Sequence, residues 1–265
     1  MIAPAAMAQQ RILLVADPRW RVERVRSHAT APQWSPVYTA PSGRLVLPFD
    51  AAAMEFRGDD GHGAWIDALT ALRVAPAQRY QLRPQAREPR CSVVVSATDG
   101  VADAPWTGDG AQRLLSPRAL YRLRLHWRRL EAGLDAVDAT PRLIAEALAA
   151  GGAAHSEGAV GRARRCLAAE AVDGRALSLH ELAEAASSSP FHLARSFRRR
   201  TGLSPHQYRL HLRLAAALAQ LDAGERDLAG LAHALGFCSQ SHLGALFLRE
   251  VGVTPGEARR ALHAA

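Results

Sequence analysis

The stretch Ser189-Pro-Phe-His-Leu-Ala-Arg-Ser-Phe-Arg-Arg-Arg-Thr-Gly-Leu-Ser-Pro205 returns, offset by 50 residues and without a gap, as Ser239-Gln-Ser-His-Leu-Gly-Ala-Leu-Phe-Leu-Arg-Glu-Val-Gly-Val-Thr-Pro255. Ser189/Ser239, His192/His242, Leu193/Leu243, Phe197/Phe247, Arg199/Arg249, Gly202/Gly252 and Pro205/Pro255 coincide. Just upstream, Leu179, Leu182 and Ala183 match Leu228, Leu231 and Ala232 at an offset of 49, so the second copy has one extra residue in its turn, around Gly236-Phe237. Each copy predicts a short helix, 178–186 or 227–235, then a tight turn. A capping Ser opens a second helix, because its hydroxyl can accept from a free N–H of the first turn. That helix buries Leu193 and Phe197, or Leu243 and Phe247, at i and i+4. A Gly stops it, and Ser-Pro or Thr-Pro starts the next. Helix, tight turn and capped helix with a polar outer face is the helix-turn-helix pattern. Between the copies, Ser204 to Ala223 reads as one long helix with Leu210, Leu214, Leu218 and Leu221 on its inner face. Such a helix can face both modules the same way, so that their second helices enter major grooves about 34 Å apart.

The residues that carry this pattern resemble the AraC/XylS family of bacterial transcription regulators. They are Leu182-Ala183, Ser189 to Phe197, Gly202 to Pro205, Tyr208, Arg213-Leu214, Ala234 to Phe237, Ser241-His242-Leu243, Phe247 and Gly252 to Pro255, within about residues 165–262. The resemblance implies two modules bound to double-stranded promoter DNA and an N-terminal sensing or dimerising domain, for which a cupin-like jelly roll is common. RNA polymerase, a small-molecule effector and a second copy of the chain are the further partners implied. One departure stands out. The family commonly has a basic residue in the second recognition helix where Gly244-Ala245 stands here, whereas the first module keeps Arg195. The first module is therefore expected to dominate specificity.

The DNA-binding candidates are Ser188, Ser189, His192, Arg195, Ser196, Arg199 and Arg200 in the first module. In the second they are Ser239, Gln240, Ser241, His242 and Arg249. Arg195 and His192 are expected at base edges, and Gln240 is suited to bidentate pairing with adenine. Arg198, Arg199, Arg200, Arg209 and Arg249 are phosphate candidates. For His192 and His242 the alternative is capping or packing within the repeat, and for Arg199 and Arg249 it is tying helices together.

Outward from the repeat, the pattern changes. Apolar or β-branched runs at 11–15, 44–49, 69–83 and 91–96, punctuated by Gly and Pro, predict short antiparallel strands in a sandwich or jelly roll. From Ser116-Pro117 the spacing turns helical: Leu120, Leu123, Trp127, Leu130, Leu134 and Val137, followed by a short helix at 141–150. That stripe fits a dimer seam or packing on the protein's own sheet. The Gly-rich segment 151–161 reads as a flexible linker. The expected class is α+β: a β-rich sensing domain over 1–115, a helical dimerisation segment over 116–150, the linker, and the tandem helix-turn-helix domain over 162–265. Two readings of function stand: a regulator governed by an effector at its N-terminal domain, and one whose N-terminal domain only dimerises or meets a partner protein.

Composition narrows the rest. The chain has 265 residues, 48% of them hydrophobic and 22% charged, in the range of a globular protein. No run reaches the ~18–20 apolar residues of a membrane helix, and Met1 to Gln10 lacks the basic and apolar regions of a secretory signal. A cytoplasmic, nucleoid-associated protein is expected, without membrane contact. All 33 basic residues are Arg, for a net charge of +8. Arg suits phosphate and guanine recognition, although a GC-rich genome would give the same excess. Residues 160–265 hold fourteen Arg against nine acids, so the repeat-bearing half is the more basic. Cys91, Cys166 and Cys238 form no CxxC pair. Before residue 110 the only histidines are His28 and His62, so no metal site, no cofactor and no enzymatic activity are expected. Trp65, Tyr80 and Trp106 are candidates for lining a small-ligand pocket or for core packing.

Overall fold

The computed structural model describes residues 8–28, 32–59, 61, 63–85, 90–98, 112–134, 137–154, 156–173 and 176–264. Two antiparallel sheets make up the N-terminal half. Strands β1 (Ala8–Ala16), β2 (Trp20–His28), β9 (Arg90–Ala97), β4 (Arg44–Pro48), β7 (Thr70–Val74) and β10 (Gln112–Leu114) form one sheet in that order. Strands β3 (Tyr38–Thr39), β8 (Arg79–Pro84), β5 (Met54–Gly58) and β6 (Gly63–Ile66) form the other. This is the cupin-like double sheet. His62 and Trp106 lie outside the described residues.

Alternation along the strands sorts the two sides of the larger sheet. Leu45 and Leu47 on β4, with Val22 on β2 and Val93 and Val95 on β9, pack with Leu120, Leu123 and Trp127 of helix α1 (Pro117–Glu131). Val46, Leu72 and Val74 point the other way, onto Met54, Phe56 and Ile66 of the smaller sheet. Ser116 caps α1, and Pro117 follows it, as its sequence predicts. The stripe on α1 does not form a free seam, however. Leu120, Leu123, Trp127 and Leu130 are all buried within the chain's own core, so they are not available to a second copy.

After helix α2 (Thr140–Ala149), the segment expected to be a flexible linker is packed. Leu114 donates to the Gly152 carbonyl at 2.8 Å, and Ala153 bridges to Arg113. A Cβ at Gly151 would sit 1.7 Å from the Leu114 oxygen, and one at Gly152 would sit 2.2 Å from the Thr201 oxygen. The glycines here permit close backbone approach rather than free motion.

The C-terminal half is helical: α3 (Gly158–Asp173), α4 (Leu179–Ala185), α5 (Pro190–Thr201), α6 (Pro205–Asp222), α7 (Leu228–Ala234), α8 (Gln240–Val251) and α9 (Pro255–His263). Its core is continuous with that between α1 and the larger sheet. At the boundary lies a fully buried polar cluster. Arg164 of α3 donates to Asp67 at 3.0 Å, to Thr70 at 2.7 Å and, through Nε, to the Tyr208 hydroxyl at 2.9 Å. Tyr208 of α6 donates in turn to Asp67 at 2.5 Å. Burial opposes the Arg164 charge, but Tyr208 and Asp67 offset it and hold its pKa above the usual range. Burial likewise pushes the Tyr208 phenol well up, so it stays protonated and donates.

Removing one partner from such a cluster strands a buried charge, which costs about 3–5 kcal/mol. Asp67→Ala should therefore lower the unfolding free energy by about that amount in urea titrations. The paired change Asp67→Leu with Arg164→Met should lose much less; equal losses would show that the charges are not coupled.

Candidate nucleic-acid interface

The two modules repeat in detail. In the first, Ser187 takes a left-handed conformation (φ 48°) and donates to Glu184, while Ser188 donates to Ala183 at 2.9 Å. In the second, Gly236 (φ 72°) donates to His233 and Phe237 donates to Ala232 at 2.9 Å. The matching bonds place the extra residue of the second turn at Cys238, between Phe237 and the cap. Ser189 accepts from His192 N–H at 3.3 Å, and Ser239 accepts from His242 N–H at 3.1 Å. Left-handed Gly202 (φ 78°) and Gly252 (φ 96°) end α5 and α8. Capping boxes open α4, α6 and α9, at Ser178/Glu181, Ser204/Gln207 and Thr254/Glu257.

On α5, Leu193 and Phe197 are fully buried, and the opposite side carries His192, Arg195, Arg198 and Arg199, all exposed; Arg200, also exposed, follows the buried stripe at the C-terminal end of the helix. The helix holds no acidic residue. Its N-terminal turn adds a residue that the periodicity passed over. Phe191 is 77% exposed, beside His192 and one turn from Arg195. Its signal was an aromatic lying off the Leu193/Phe197 stripe. Ser188 is half-buried, and Ser189 is exposed but engaged as the cap.

Several expected contacts are placed elsewhere. Ser196 is buried, and its hydroxyl donates back to the His192 carbonyl at 2.7 Å, so it does not share the outer face. The His242 ring is engaged by the turn: Nδ1 accepts from Cys238 N–H at 3.4 Å and the ring meets Phe237 edge-on at 5.9 Å. His192 has the same place in the repeat without that turn residue. Arg209 is clamped to Glu170 at 2.6 and 3.1 Å and to the Leu177 carbonyl, tying α6 to α3 instead of facing outward.

On α8, Gln240, Ser241 and Ala245 are exposed, and Arg249 is exposed but paired with Glu250 at 2.8 Å. Ser239 is spent as the cap. The second outer face therefore offers amide and hydroxyl groups with little net charge, whereas the first offers a dense guanidinium array.

A family model described as a helix-turn-helix domain matches residues 182–261. An AraC-like transcription regulator of Streptomyces lividans is 35% identical over 86 residues, 32% of this chain and 28% of that protein. The HTH-type transcriptional regulator MtrA of Neisseria gonorrhoeae is 32% identical over 83 residues, 31% of this chain and 28% of that one. The C-terminal domain is a helix-turn-helix domain similar to those of AraC-like regulators. The match spans about a quarter of the length of these curated relatives. Among solved structures, ToxT from Vibrio cholerae O395 aligns with 93% of this chain and 99% of its own at a TM-score of 0.40 and 11% identity. An AraC-type regulator from Chromobacterium violaceum aligns with 39% of this chain and 91% of its own, at a TM-score of 0.37 and 26% identity. Among the described residues, no group of three or more His, Cys, Asp or Glu is placed to hold a metal ion, and no helix is long and apolar enough to cross a membrane.

The two glycines of the second helix-turn-helix module should respond oppositely to substitution. A Cβ at Gly244, inside α8, meets nothing within 4 Å, so Gly244→Ala should stabilise the protein by about 1 kcal/mol. At Gly252 a Cβ meets the Arg118 guanidinium at 3.2 Å in a left-handed backbone, so Gly252→Ala should destabilise by at least about 1 kcal/mol. Thermal denaturation of both variants checks the signs.

Proposed function

We propose that this protein is a sequence-specific DNA-binding transcription regulator of the AraC type. The observation that carries the reading is the face of α5: three exposed Arg, no acid, and an exposed aromatic and imidazole at the N-terminal turn, where a recognition helix meets base edges. In this reading Arg195 pairs with a guanine, Phe191 lies against a thymine methyl, and His192 borders both. Arg198, Arg199 and Arg200 take phosphates. On α8, Gln240 and Ser241 reach bases, with Arg249 at the backbone once Glu250 releases it. Ser189 and Ser239 keep their capping bonds and set the height of each helix over the groove. Ser196 and His242 act within the fold.

A signal at the N-terminal domain would act through the buried contacts between the halves. An effector shifts DNA affinity only as far as it binds two arrangements of those contacts unequally. The Asp67–Arg164–Tyr208 cluster is the natural point for such a difference, because it joins a strand connection of the β domain to two helices of the DNA-binding half.

Fluorescence anisotropy against the DNA upstream of its own gene, with a scrambled duplex as control, tests the reading. Specific binding should exceed scrambled binding by about 10³-fold or more. Arg195→Ala should cost about 1–3 kcal/mol and relax the preference at one base pair. Ala245→Arg should tighten binding and steepen the salt dependence by about one phosphate contact. Equal affinity for both duplexes, with or without Arg195, would overturn the assignment.

A further inference from the structure

The repeat sets the two recognition helices in one register, so each outer position of α5 has a counterpart on α8 50 residues on. Opposite the buried Leu243 and Phe247, the outer line of α8 is Ser241, Ala245 and Leu248, all exposed. Their counterparts on α5 are Phe191, Arg195 and Arg198, so both guanidinium positions of that line are apolar in the second module. Of the other two Arg of α5, Arg199 returns as Arg249 and Arg200 as Glu250. These cancel. Arg249 donates to Glu250 at 2.8 Å, and the second carboxylate oxygen of Glu250 faces the His211 ring of α6 at 3.4 Å. Burial holds the His211 pKa down, so that ring brings no charge at neutral pH.

A helix without net charge gains little from phosphates. What its outer line can gain in a major groove is contact at the base edges. A single exposed leucine is ordinary on a protein surface. Leu248, 48% exposed, differs because it stands in line with Ala245, where the sister helix puts arginine at both places. Positions i, i+4 and i+7 from Ser241 share one face and span about 10 Å at ~1.5 Å per residue, close to three base-pair steps of about 3.4 Å. The methyl group that a base pair presents in the major groove is the C5-methyl of thymine, and apolar side chains recognise it by contact. Gln240, exposed at the start of the same helix, carries an amide suited to adenine N6 and N7. Both kinds of contact select the same base pair.

We infer that the second module reads thymine, with Ala245 and Leu248 packed on the C5-methyl groups of two thymines in its half-site. This rests on the regulator reading and adds to it the class of sequence that lies under α8. The two modules then divide the work. The guanidinium face of α5 supplies most of the salt-dependent affinity, and the uncharged face of α8 discriminates by apolar contact.

Anisotropy titrations of the full chain against a duplex it selects from a random pool test this, with each thymine of the site replaced in turn by deoxyuracil. That change removes the C5-methyl and leaves the pairing edge as it was. Two thymines of one half-site should each show binding weakened about fourfold, the worth of one buried methyl. The ratio should be the same at low and high salt, because no charge takes part. Leu248→Ala, on the exposed face and therefore compatible with folding, should erase the response at one of the two positions. Ala245→Gly should erase it at the other, and Arg195→Ala should leave both. Failure to select or prefer any duplex refutes the regulator reading and this inference together. Specific binding that ignores every uracil, or uracil responses that Leu248→Ala and Ala245→Gly leave unchanged, overturns this inference alone.

Discussion

Arg164 is the constraint on which the rest of the molecule depends. It is a guanidinium with no exposure to solvent, on the first helix of the DNA-binding half, and its partners come from both halves: Asp67 from the connection after β6, Thr70 from the start of β7, and Tyr208 from α6. A buried charge tolerates only a geometry that satisfies its donors. The apolar surface shared by the halves would allow sliding, because hydrophobic contact is not directional. The cluster does not, and so it fixes how the helical domain sits on the sheets.

A second buried ion cluster acts at the other end of α6. Asp222 accepts from Arg124 at 3.2 Å and from Arg128 at 2.7 Å, both on α1, and Arg124 also donates to the Phe49 carbonyl while lying over the Phe49 ring. The helix that carries both modules is thus tied near its start through Tyr208 and at its end through Asp222. An 18-residue helix is about 27 Å long. Holding both ends makes the relative placement of α5 and α8 a property of the whole chain. A disturbance in the β domain that moved either cluster would therefore reach both recognition helices together.

The helical half was legible because its signals are local. Ser189, Ser239, Gly202, Gly252 and the two X-Pro starts sit where capping chemistry requires them, and the repeat supplied each one twice. The long helix was set by Ser204 at one end and the leucine stripe along it. The sheet half was legible only in part. Runs such as 44–49 and 91–96 mark central strands, but β2, rich in Arg, and the short strands β5 and β6 have no apolar run to announce them. What could not be read was pairing at a distance. The stripe on α1 fits a partner helix as well as a sheet, and only the fold shows that the sheet takes it. Ser196 and Arg209 carry the right chemistry for DNA, and their rotation about the helix axis decides that they do not use it. Asp67 and Arg164 are ordinary charged residues in the sequence, made consequential by burial alone.

The most direct test of two modules held as one unit is dimethyl sulfate protection on a duplex selected by the protein from a random pool. The account predicts two protected major-groove segments about 10 base pairs apart for each bound chain, with the stronger one disappearing in Arg195→Ala. Protection confined to a single segment, or two segments whose spacing varies from one selected site to another, would contradict it.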